Sequence, residues 1–285
     1  MESCLAASCD RLSNRNFQRL AKFIEEYCGI RMPPAKQTMV EGRLRRRAAA
    51  LGHRSLNEYC AHLFEDGDLK NEVVDLIDAI TTNKTEFFRE MDHFRLLVEH
   101  ALPQLMGQPG RPGIDRPLDV WSAASSIGAE PYTLAMVLDD FGQNVRNFRF
   151  RILATDICTD VLAKAKLAVY PEEMVGPVPP AMRRRYFLRS RDAEKPTVRV
   201  VPHIRQMVDF GRLNLMDEDY AVDDMDIVFC RNILIYFDKA KQQAVLQRIC
   251  RHLRPGGFLF VGHSETVTGM DLPLVPAATA LFRKK

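Results

Sequence analysis

One stretch limits what this chain can become more than any other: Val120-Trp121-Ser122-Ala123-Ala124-Ser125-Ser126-Ile127-Gly128-Ala129-Glu130-Pro131-Tyr132, running on to Met136. It reads as an apolar strand that enters a loop of tiny residues and leaves as a helix, with Pro131 in the first turn, where a missing N–H has no intrahelical partner to lose. Small side chains let a ligand approach the backbone, and the helix start supplies free N–H groups at the same spot. Strand, loop and helix in this order form the usual cofactor cradle of a doubly wound sheet, with the ligand across the carboxyl ends of the strands. The dinucleotide fingerprint is absent, since only Gly128 of its three spaced glycines is present. An ordinary tight turn is the plainer reading of the same residues. Glu130, an acid where a pyrophosphate would sit, favours a cationic or hydroxyl-rich ligand, and S-adenosylmethionine, with its sulfonium, ammonium and ribose diol, fits that chemistry.

A chain of 285 residues, 46% hydrophobic and 27% charged, is long enough for one or two domains with an ample core. No apolar run approaches the roughly 20 residues of a membrane span, and Met1-Glu2-Ser3-Cys4 lacks the basic and apolar regions of a secretory leader, so a cytosolic location without membrane insertion is expected. The seven cysteines, Cys4, Cys9, Cys28, Cys60, Cys158, Cys230 and Cys250, have no metal-ligand spacing and are expected as reduced, mostly buried thiols, with no metal centre. A net charge of +3 is too mild to indicate a nucleic-acid binder.

Up to about residue 80 the periodicity is helical. Phe17, Leu20, Ile24 and Tyr27 mark a first helix stopped by Gly29, and a second, about Ala35 to Leu51, carries Arg43, Arg46 and Arg47 on one face with Arg45 elsewhere. Ser55-Leu56-Asn57-Glu58 is a capping box opening a third helix through Phe64, and Leu69 to Ile80 forms a fourth with Val73, Leu76, Ile77 and Ile80 inward. The arginine face is either a solvated surface or a dock for an acidic partner, whose carboxylates would suit guanidinium forks. No aromatics interleave with the basic residues, which disfavours single-stranded nucleic acid.

Thr81-Thr82-Asn83-Lys84-Thr85-Glu86-Phe87-Phe88-Arg89-Glu90 is a dense polar cluster with a Phe-Phe anchor, followed by a helix from Asp92 to about Met106 and the loop Gln108 to Gly113; the domain seam is expected in this region, near residue 90. Phe148 to Thr155 reads as the second strand. Asp156 at its tip either accepts ribose hydroxyls or caps a helix from Thr159, and both hold if Thr159 is the true cap. Four prolines, Pro171, Pro177, Pro179 and Pro180, interrupt the alternation and point to an inserted β-subdomain, about 171–206, whose edge could bind a peptide. The sheet resumes at Met207 to Phe210 with a polar tip at Asn214-Leu215, continues through Asp226 to Cys230 with Arg231-Asn232 at its end, and then Leu253 to Gly262; Ala278 to Phe282 is expected as a final antiparallel edge strand.

Five stretches in this order resemble the CheR family of chemotaxis receptor methyltransferases: Thr81 to Glu90, Trp121 to Tyr132, Ala154-Thr155-Asp156, Phe229-Cys230-Arg231-Asn232-Ile233-Leu234-Ile235-Tyr236-Phe237-Asp238, and Gly262-His263-Ser264-Glu265. The resemblance covers nearly the whole chain. It implies an α/β fold, a Rossmann-like S-adenosylmethionine methyltransferase sheet with a small inserted β-subdomain, preceded by an all-helical, receptor-docking N-terminal domain, with domains at 1–90 and 91–285. It implies cofactor contacts at Asn83, Thr85, Arg89, Glu130, Asp156, Asn214, Leu215, Arg231 and Asn232. The loop departs from the family's Cys-Ser-Thr-Gly-Glu-Glu-Pro-Tyr at Ile127 and Ala129, each losing a polar group that would aid cofactor binding, while Glu130 remains.

The reaction implied is methyl transfer from S-adenosylmethionine to a glutamate side chain of a chemoreceptor, leaving a methyl ester and S-adenosylhomocysteine. A glutamate of pKa about 4.3 is already the nucleophile at neutral pH, so the enzyme must supply positioning and a dry pocket instead of a base. Tyr236 is the candidate lining the transfer site, unless it merely packs under the next helix, and Arg95 the candidate for steering the substrate carboxylate. The implied partners are the acidic helical region of a receptor, met by Arg43, Arg46 and Arg47, and a receptor's C-terminal pentapeptide, met by the subdomain, since Arg184 to Val201 shows no shortening. A monomer suffices. Three rival readings exist. A nucleic-acid methyltransferase would need prolines after Asn232 and a basic channel, an oxidoreductase would need the glycine pattern, and a non-catalytic cofactor sensor would follow from the altered loop.

Overall fold

The computed structural model describes residues 10–192 and 194–285; the expectations for Cys4, Cys9 and the leader region lie outside them. The chain divides into a helical unit, residues 1–82 with Tyr236–Asp238, and a second unit of 83–235 and 239–285. The boundary therefore falls between Thr82 and Asn83, ahead of the position near 90 suggested by the sequence.

In the helical unit, α1 (Asn14–Cys28) begins where Ser13 Oγ accepts the Asn16 N–H at 3.2 Å and ends at Gly29, whose φ of 77° only glycine adopts freely. Its buried stripe is Phe17, Leu20, Ile24 and Cys28, with Tyr27 stacked on Phe23 instead of inward. A short turn, Pro34–Lys36, leads into α2 (Gln37–Ala50). Helix α3 (Leu56–Phe64) starts where Ser55 Oγ takes the Glu58 N–H, while Glu58 reaches back to the Arg54 N–H, one residue earlier than the capping box anticipates.

Helix α4 (Leu69–Ile80) buries Glu72, Leu76, Ile77 and Ile80; Val73, expected inward, is displaced by an acid. Glu72 can be buried because its carboxylate is fully partnered: Arg47 grips it with two bonds of 2.6 Å and Tyr59 Oη donates at 2.9 Å. Burial alone would raise the Glu72 carboxyl, but the Arg47 and Tyr59 hydrogen bonds lower it below the usual range. Arg47 also reaches Asp75 at 2.7 Å, and Arg43 donates to the Ile80 and Thr81 carbonyls at 2.5 and 2.9 Å, capping α4. Two of the three arginines expected to face a partner thus hold this unit together, and Arg46 alone of them is exposed.

The second unit opens with a helical run, α5 (Asp92–Leu96), a widened turn at Leu97–Ala101, and α6 (Leu102–Met106). Pro103 lacks the N–H that would serve the Glu99 carbonyl, and the widened turn lies just before it. There follow β1 (Leu118–Ala123), α7 (Ala129–Gly142), β2 (Phe150–Asp156), α8 (Thr159–Leu167), and then the insertion: β3 (Val169–Pro171), α9 (Pro180–Tyr186), β4 (Phe187–Arg189), β5 (Thr197–Val200) and α10 (Pro202–Arg205). The main sheet resumes with β6 (Val208–Arg212), β7 (Met225–Cys230), α11 (Lys239–His252), β8 (Leu253–Val261), β9 (Leu274–Ala278) and β10 (Leu281–Lys284).

Seven strands lie in the order β6-β2-β1-β7-β8-β10-β9, the first five parallel and the last two antiparallel. The inserted strands form a separate antiparallel sheet, β3-β5-β4. The last strand of the chain is not the edge expected of it: β10 pairs with β8 on one side and with β9 on the other. Strand β9 escapes notice in the sequence because it contains Pro276, tolerated only at a sheet edge where no N–H is needed. Helices cover the β1 and β7 centre, whose six residues each are all buried. At the amino ends of these strands Asp226 receives two bonds from Arg116, at 2.6 and 2.5 Å, and Asp119 receives Arg151 at 2.6 Å and Arg254 at 3.1 Å.

Replacing Arg47 by alanine strands the buried Glu72 carboxylate. We expect Arg47→Ala to lower stability by about 2–3 kcal/mol in urea denaturation, while Arg46→Ala stays within about 0.5 kcal/mol of the parent; equal effects would contradict this division of roles.

Candidate functional site

The carboxyl ends of β1, β2, β7 and β8 meet around the start of α7, where a parallel sheet places its ligands. Gly128 takes a φ of 91°, and a Cβ there would lie 3.0 Å from Ala165 Cβ and 3.1 Å from Tyr170 Oη, so the turn admits no side chain. The Ile127 carbonyl accepts from Tyr170 Oη at 2.8 Å, and the Ala129 carbonyl accepts from Thr133 Oγ1 at 2.7 Å. Ala129 is fully buried. Backbone and packing shape the loop at the two positions where it departs from the family pattern.

Glu130 projects from the first turn of α7, and its Oε1 accepts from Ser122 Oγ at 2.8 Å while Oε2 accepts from Arg231 at 2.8 Å. Arg231, at the exit of β7, has a side chain only 1% exposed. It also donates to Glu90 Oε2 at 3.0 Å and to the Arg89 carbonyl at 2.6 Å. Asn232 Nδ2 reaches the other oxygen of Glu90 at 3.1 Å, and the His263 N–H reaches Oε2 at 3.2 Å. Burial opposes ionisation of Glu90, yet the bonds from Asn232 and Arg231 and the Arg231 charge prevail and carry its carboxyl down to about 2.

On the neighbouring strand, Asp156 Oδ2 accepts the Ser126 N–H at 2.8 Å and Oδ1 the Cys158 N–H at 3.0 Å. The cap position of α8 is Cys158, not Thr159, and Asp156 serves the helix start through that N–H. Ser126 Oγ donates to the Asn83 carbonyl at 2.9 Å, and Asn83 Nδ2 lies 3.7 Å from Cys158 Sγ. Asn214 and Leu215 are buried beyond β6, with Asn214 Oδ1 accepting the Met216 N–H and the Leu215 carbonyl accepting from Tyr220 Oη. Phe87 anchors the polar segment, its ring 5.0 Å from that of Tyr170 and 5.4 Å from that of Phe187.

Of the residues expected at the site, Glu130, Arg231 and Asn232 share one cluster with the Arg89 carbonyl, the Arg89 side chain turning to the Lys84 carbonyl, and Asn83 and Asp156 are linked through Ser126; Thr85 lies half-buried in the same segment as Asn83, and Asn214 and Leu215 at the tip next along the sheet. Arg95 is not among them. It is exposed and bridges Asp92 at 3.0 Å on the solvent side of α5. Tyr236 falls in the helical unit, where its carbonyl accepts the Arg31 N–H at 3.3 Å and Lys36 Nζ stands 5.5 Å from its ring centre. Sequence reasoning assigned no role to Ser122, Glu90, His93, His263 or Glu265, although Glu90 and the Gly262 to Glu265 run lay inside the stretches quoted for the resemblance.

Phe88, Glu90, Ala124, Ser126 and Asn232 all hold positive φ, between 52° and 60°, around this one cluster, and such strain in non-glycine residues concentrates where a structure must aim groups. Glu90, His93 and His263 bring one donor atom each within 4.8 Å of one another. The Glu90 oxygen nearest His93, Oε2 at 3.5 Å, is already held by Arg231 and the His263 N–H, so these groups extend the Arg231 network. A half-buried carboxylate in the first turn of α7, a buried one at the tip of β2, a side-chain-free turn and a helix start fit a ligand bearing cations and hydroxyls.

The residues of this chain match the family models for the CheR methyltransferase all-alpha domain over 15–81 and the CheR methyltransferase SAM binding domain over 83–277. The chain is 39% identical over 261 residues to the chemotaxis protein methyltransferase of Escherichia coli K12, covering 91% of this chain and 87% of the relative. It is 38% identical over 258 residues to chemotaxis protein methyltransferase 2 of Pseudomonas aeruginosa, covering 89% and 87%. To the chemotaxis protein methyltransferase of Borreliella burgdorferi it is 34% identical over 260 residues, covering 90% of each. No helix among the described residues is long and apolar enough to cross a membrane.

Burial, seconded by the Arg231 charge, pushes the His93 imidazole down to about 4 from 6.5. A base whose folded value lies below its unfolded one loses stability as pH falls through the unfolded value, because the unfolded chain takes the proton first. Glu90, depressed from 4.5 to about 2, contributes stability present above 4.5 and lost below it. We expect His93→Phe to flatten the dependence of the urea midpoint on pH between 6.5 and 4 relative to the parent; an unchanged slope would place His93 in water.

Proposed function

The chain belongs to the CheR methyltransferase family, and from that membership we propose that it methylates glutamate side chains of chemoreceptors, forming methyl esters. It is an S-adenosylmethionine-dependent methyltransferase of chemotaxis, and its relatives favour a catalyst over the non-catalytic sensor. The observation that carries the reading is the pairing of Glu130 and Glu90 around buried Arg231 beside the Gly128 turn.

Bound S-adenosylmethionine supplies a methyl carbon on a sulfonium. A substrate carboxylate would take that methyl in line, with the C–S electron pair left on sulfur, so that no proton need move. Nothing in the chain need act as a base. Glu130 and Asp156 would hold the cation and the ribose hydroxyls, and Asn214, Leu215, Arg231 and Asn232 would frame the adenine and methionine groups. Asn83, Thr85 and Arg89 would close over the methionine carboxylate. Phe94 and Phe229 lie against Arg231, their ring centres 5.7 and 5.9 Å from its guanidinium carbon, and would help keep water from the reacting atoms. Tyr236, which follows Arg231-Asn232 after three intervening residues, would line the methyl-transfer site, and Arg95 is the weaker candidate because Asp92 engages it.

We assign receptor docking to the exposed Arg46 on α2, with Arg43 and Arg47 shaping that face through their internal bonds. The inserted sheet, with Leu188 half exposed on its edge strand β4, would take the receptor's C-terminal pentapeptide by strand addition.

The test is transfer from S-adenosylmethionine labelled on its methyl group to receptor-containing membranes, with the label released as methanol by mild base. Base-labile label that falls when the receptor's last five residues are removed is the expected result, and base-stable label would refute ester formation. Glu130→Gln and Asp156→Asn should each weaken cofactor binding by about tenfold or more in calorimetry, the loss of one charge-assisted bond.

A further inference from the structure

The run Gly262-His263-Ser264-Glu265 follows β8, and the function described above makes no use of its acid. The Glu265 carboxylate nevertheless gathers four main-chain N–H groups. Oε2 accepts from Gly262 at 2.7 Å and Asn232 at 2.9 Å; Oε1 accepts from Leu234 at 2.7 Å and Ile235 at 3.4 Å. Three of the four donors belong to the segment that leaves β7. We propose that Glu265 is a positioning residue for the methyl transfer, holding the Arg231 to Ile235 segment in the one conformation that aims Arg231 and Asn232 at the cofactor. The proposal rests on the reading that those two residues contact the cofactor.

Two further observations place the same demand on the segment. Asn232 sits at φ 58°, a left-handed conformation that Asn adopts more readily than other residues with a side chain, and its N–H in that turn is held by Glu265. A Cβ on Gly262 would meet Asn232 Nδ2 at 2.6 Å and Glu265 Oε2 at 2.9 Å, so the glycine lets the carboxylate and the asparagine close together. From there the effect reaches the site in one step, because Asn232 Nδ2 bonds Glu90 Oε1 and Arg231 bonds Glu90 Oε2. Glutamine at 265 would turn one of the two oxygens into an NH₂ donor facing main-chain donors, leaving one side of the clamp without an acceptor. Burial raises the Glu265 carboxyl above its ordinary range in spite of the four donors, as befits a group whose role depends on being enclosed.

The test uses the full chain with two variants, Glu265→Gln and Gly262→Ala, and S-adenosylhomocysteine as the probe. Hydrogen exchange of the amides from 231 to 235 should quicken at least about tenfold in both variants, while amides of α1 to α4 exchange as in the parent. Dissociation constants for the probe should rise by about tenfold or more, the scale on which small misplacements act, with KM for receptor changed less than about twofold. If Glu265→Gln does not fold, Gly262→Ala decides alone, since it keeps the carboxylate and needs no unusual φ. Probe binding within about twofold of the parent in the folded variants overturns the proposal. Asn232→Ala serves as the control: unimpaired probe binding there refutes the contact reading, whereas the exchange rates still report whether Glu265 holds the segment.

Discussion

The guanidinium of Arg231 is the interaction on which the second unit turns. A cation whose side chain is 1% exposed must be compensated inside the protein, because the penalty for burying it alone would exceed the stability of a typical domain. Glu130, Glu90 and the Arg89 carbonyl supply that compensation. They come from the start of α7 and from the segment just past Phe88, both drawn to one strand exit. Removing either acid would leave the cation partly unpaired, at a cost on the order of 3–5 kcal/mol. The ladder of β1 with β2 and β7 fixes where the strands end, and Arg231 fixes what stands there.

The two ends of the sheet show the same chemistry put to different uses. At the amino ends, Asp226 and Asp119 with Arg116, Arg151 and Arg254 form ion pairs between regular strands or their immediate flanks, with no positive φ at any of these residues. At the carboxyl ends the pairs involve loops, and Glu90 and Asn232 both hold left-handed conformations to make them. A pair that only joins strands can form on relaxed backbone. A cluster that must also face a ligand has its backbone bent to aim it, and the buried bonds keep the strained loops from relaxing.

Much of this was legible in the sequence because it follows from periodicity and from turn chemistry. Ser13 and Ser55 start helices, Gly29 stops one, and the strands read from Val120 onward and over Asp226 to Cys230 lie in the buried central strands β1 and β7. What could not be read depends on partners distant in sequence. Nothing near Glu72 marks it as a core residue; its burial is permitted by Arg47, 25 positions earlier, and by Tyr59. The same long-range pairing removes Arg43 and Arg47 from the surface to which helical spacing assigned them. Strand β9 is hidden by Pro276, and the clamp of Glu265 on Asn232 spans 33 positions. The cofactor residues were named from the resemblance; position along the chain alone gave only strand tips, and Asp156 shows why, since one carboxylate there both holds the loop at Ser126 and starts α8.

The balance of charge in the cluster explains why two acids surround one base. Glu130 with Arg231 alone would be a neutral pair, with little pull on a cationic ligand. Glu130 and Glu90 both bond the Arg231 guanidinium, which compensates the two carboxylates at once. With two carboxylates against a single guanidinium the cluster carries one net negative charge, and the depressed Glu90 carboxyl extends that charge to acid pH. A residual negative field suits a ligand bearing ammonium and sulfonium. A transfer that neutralises the sulfonium would gain nothing from a negative field at sulfur, so the cluster would have to hold the ammonium end and leave the sulfonium to face the incoming carboxylate. The chain carries its acids where the cofactor must be bound, and the substrate brings the one acid that reacts.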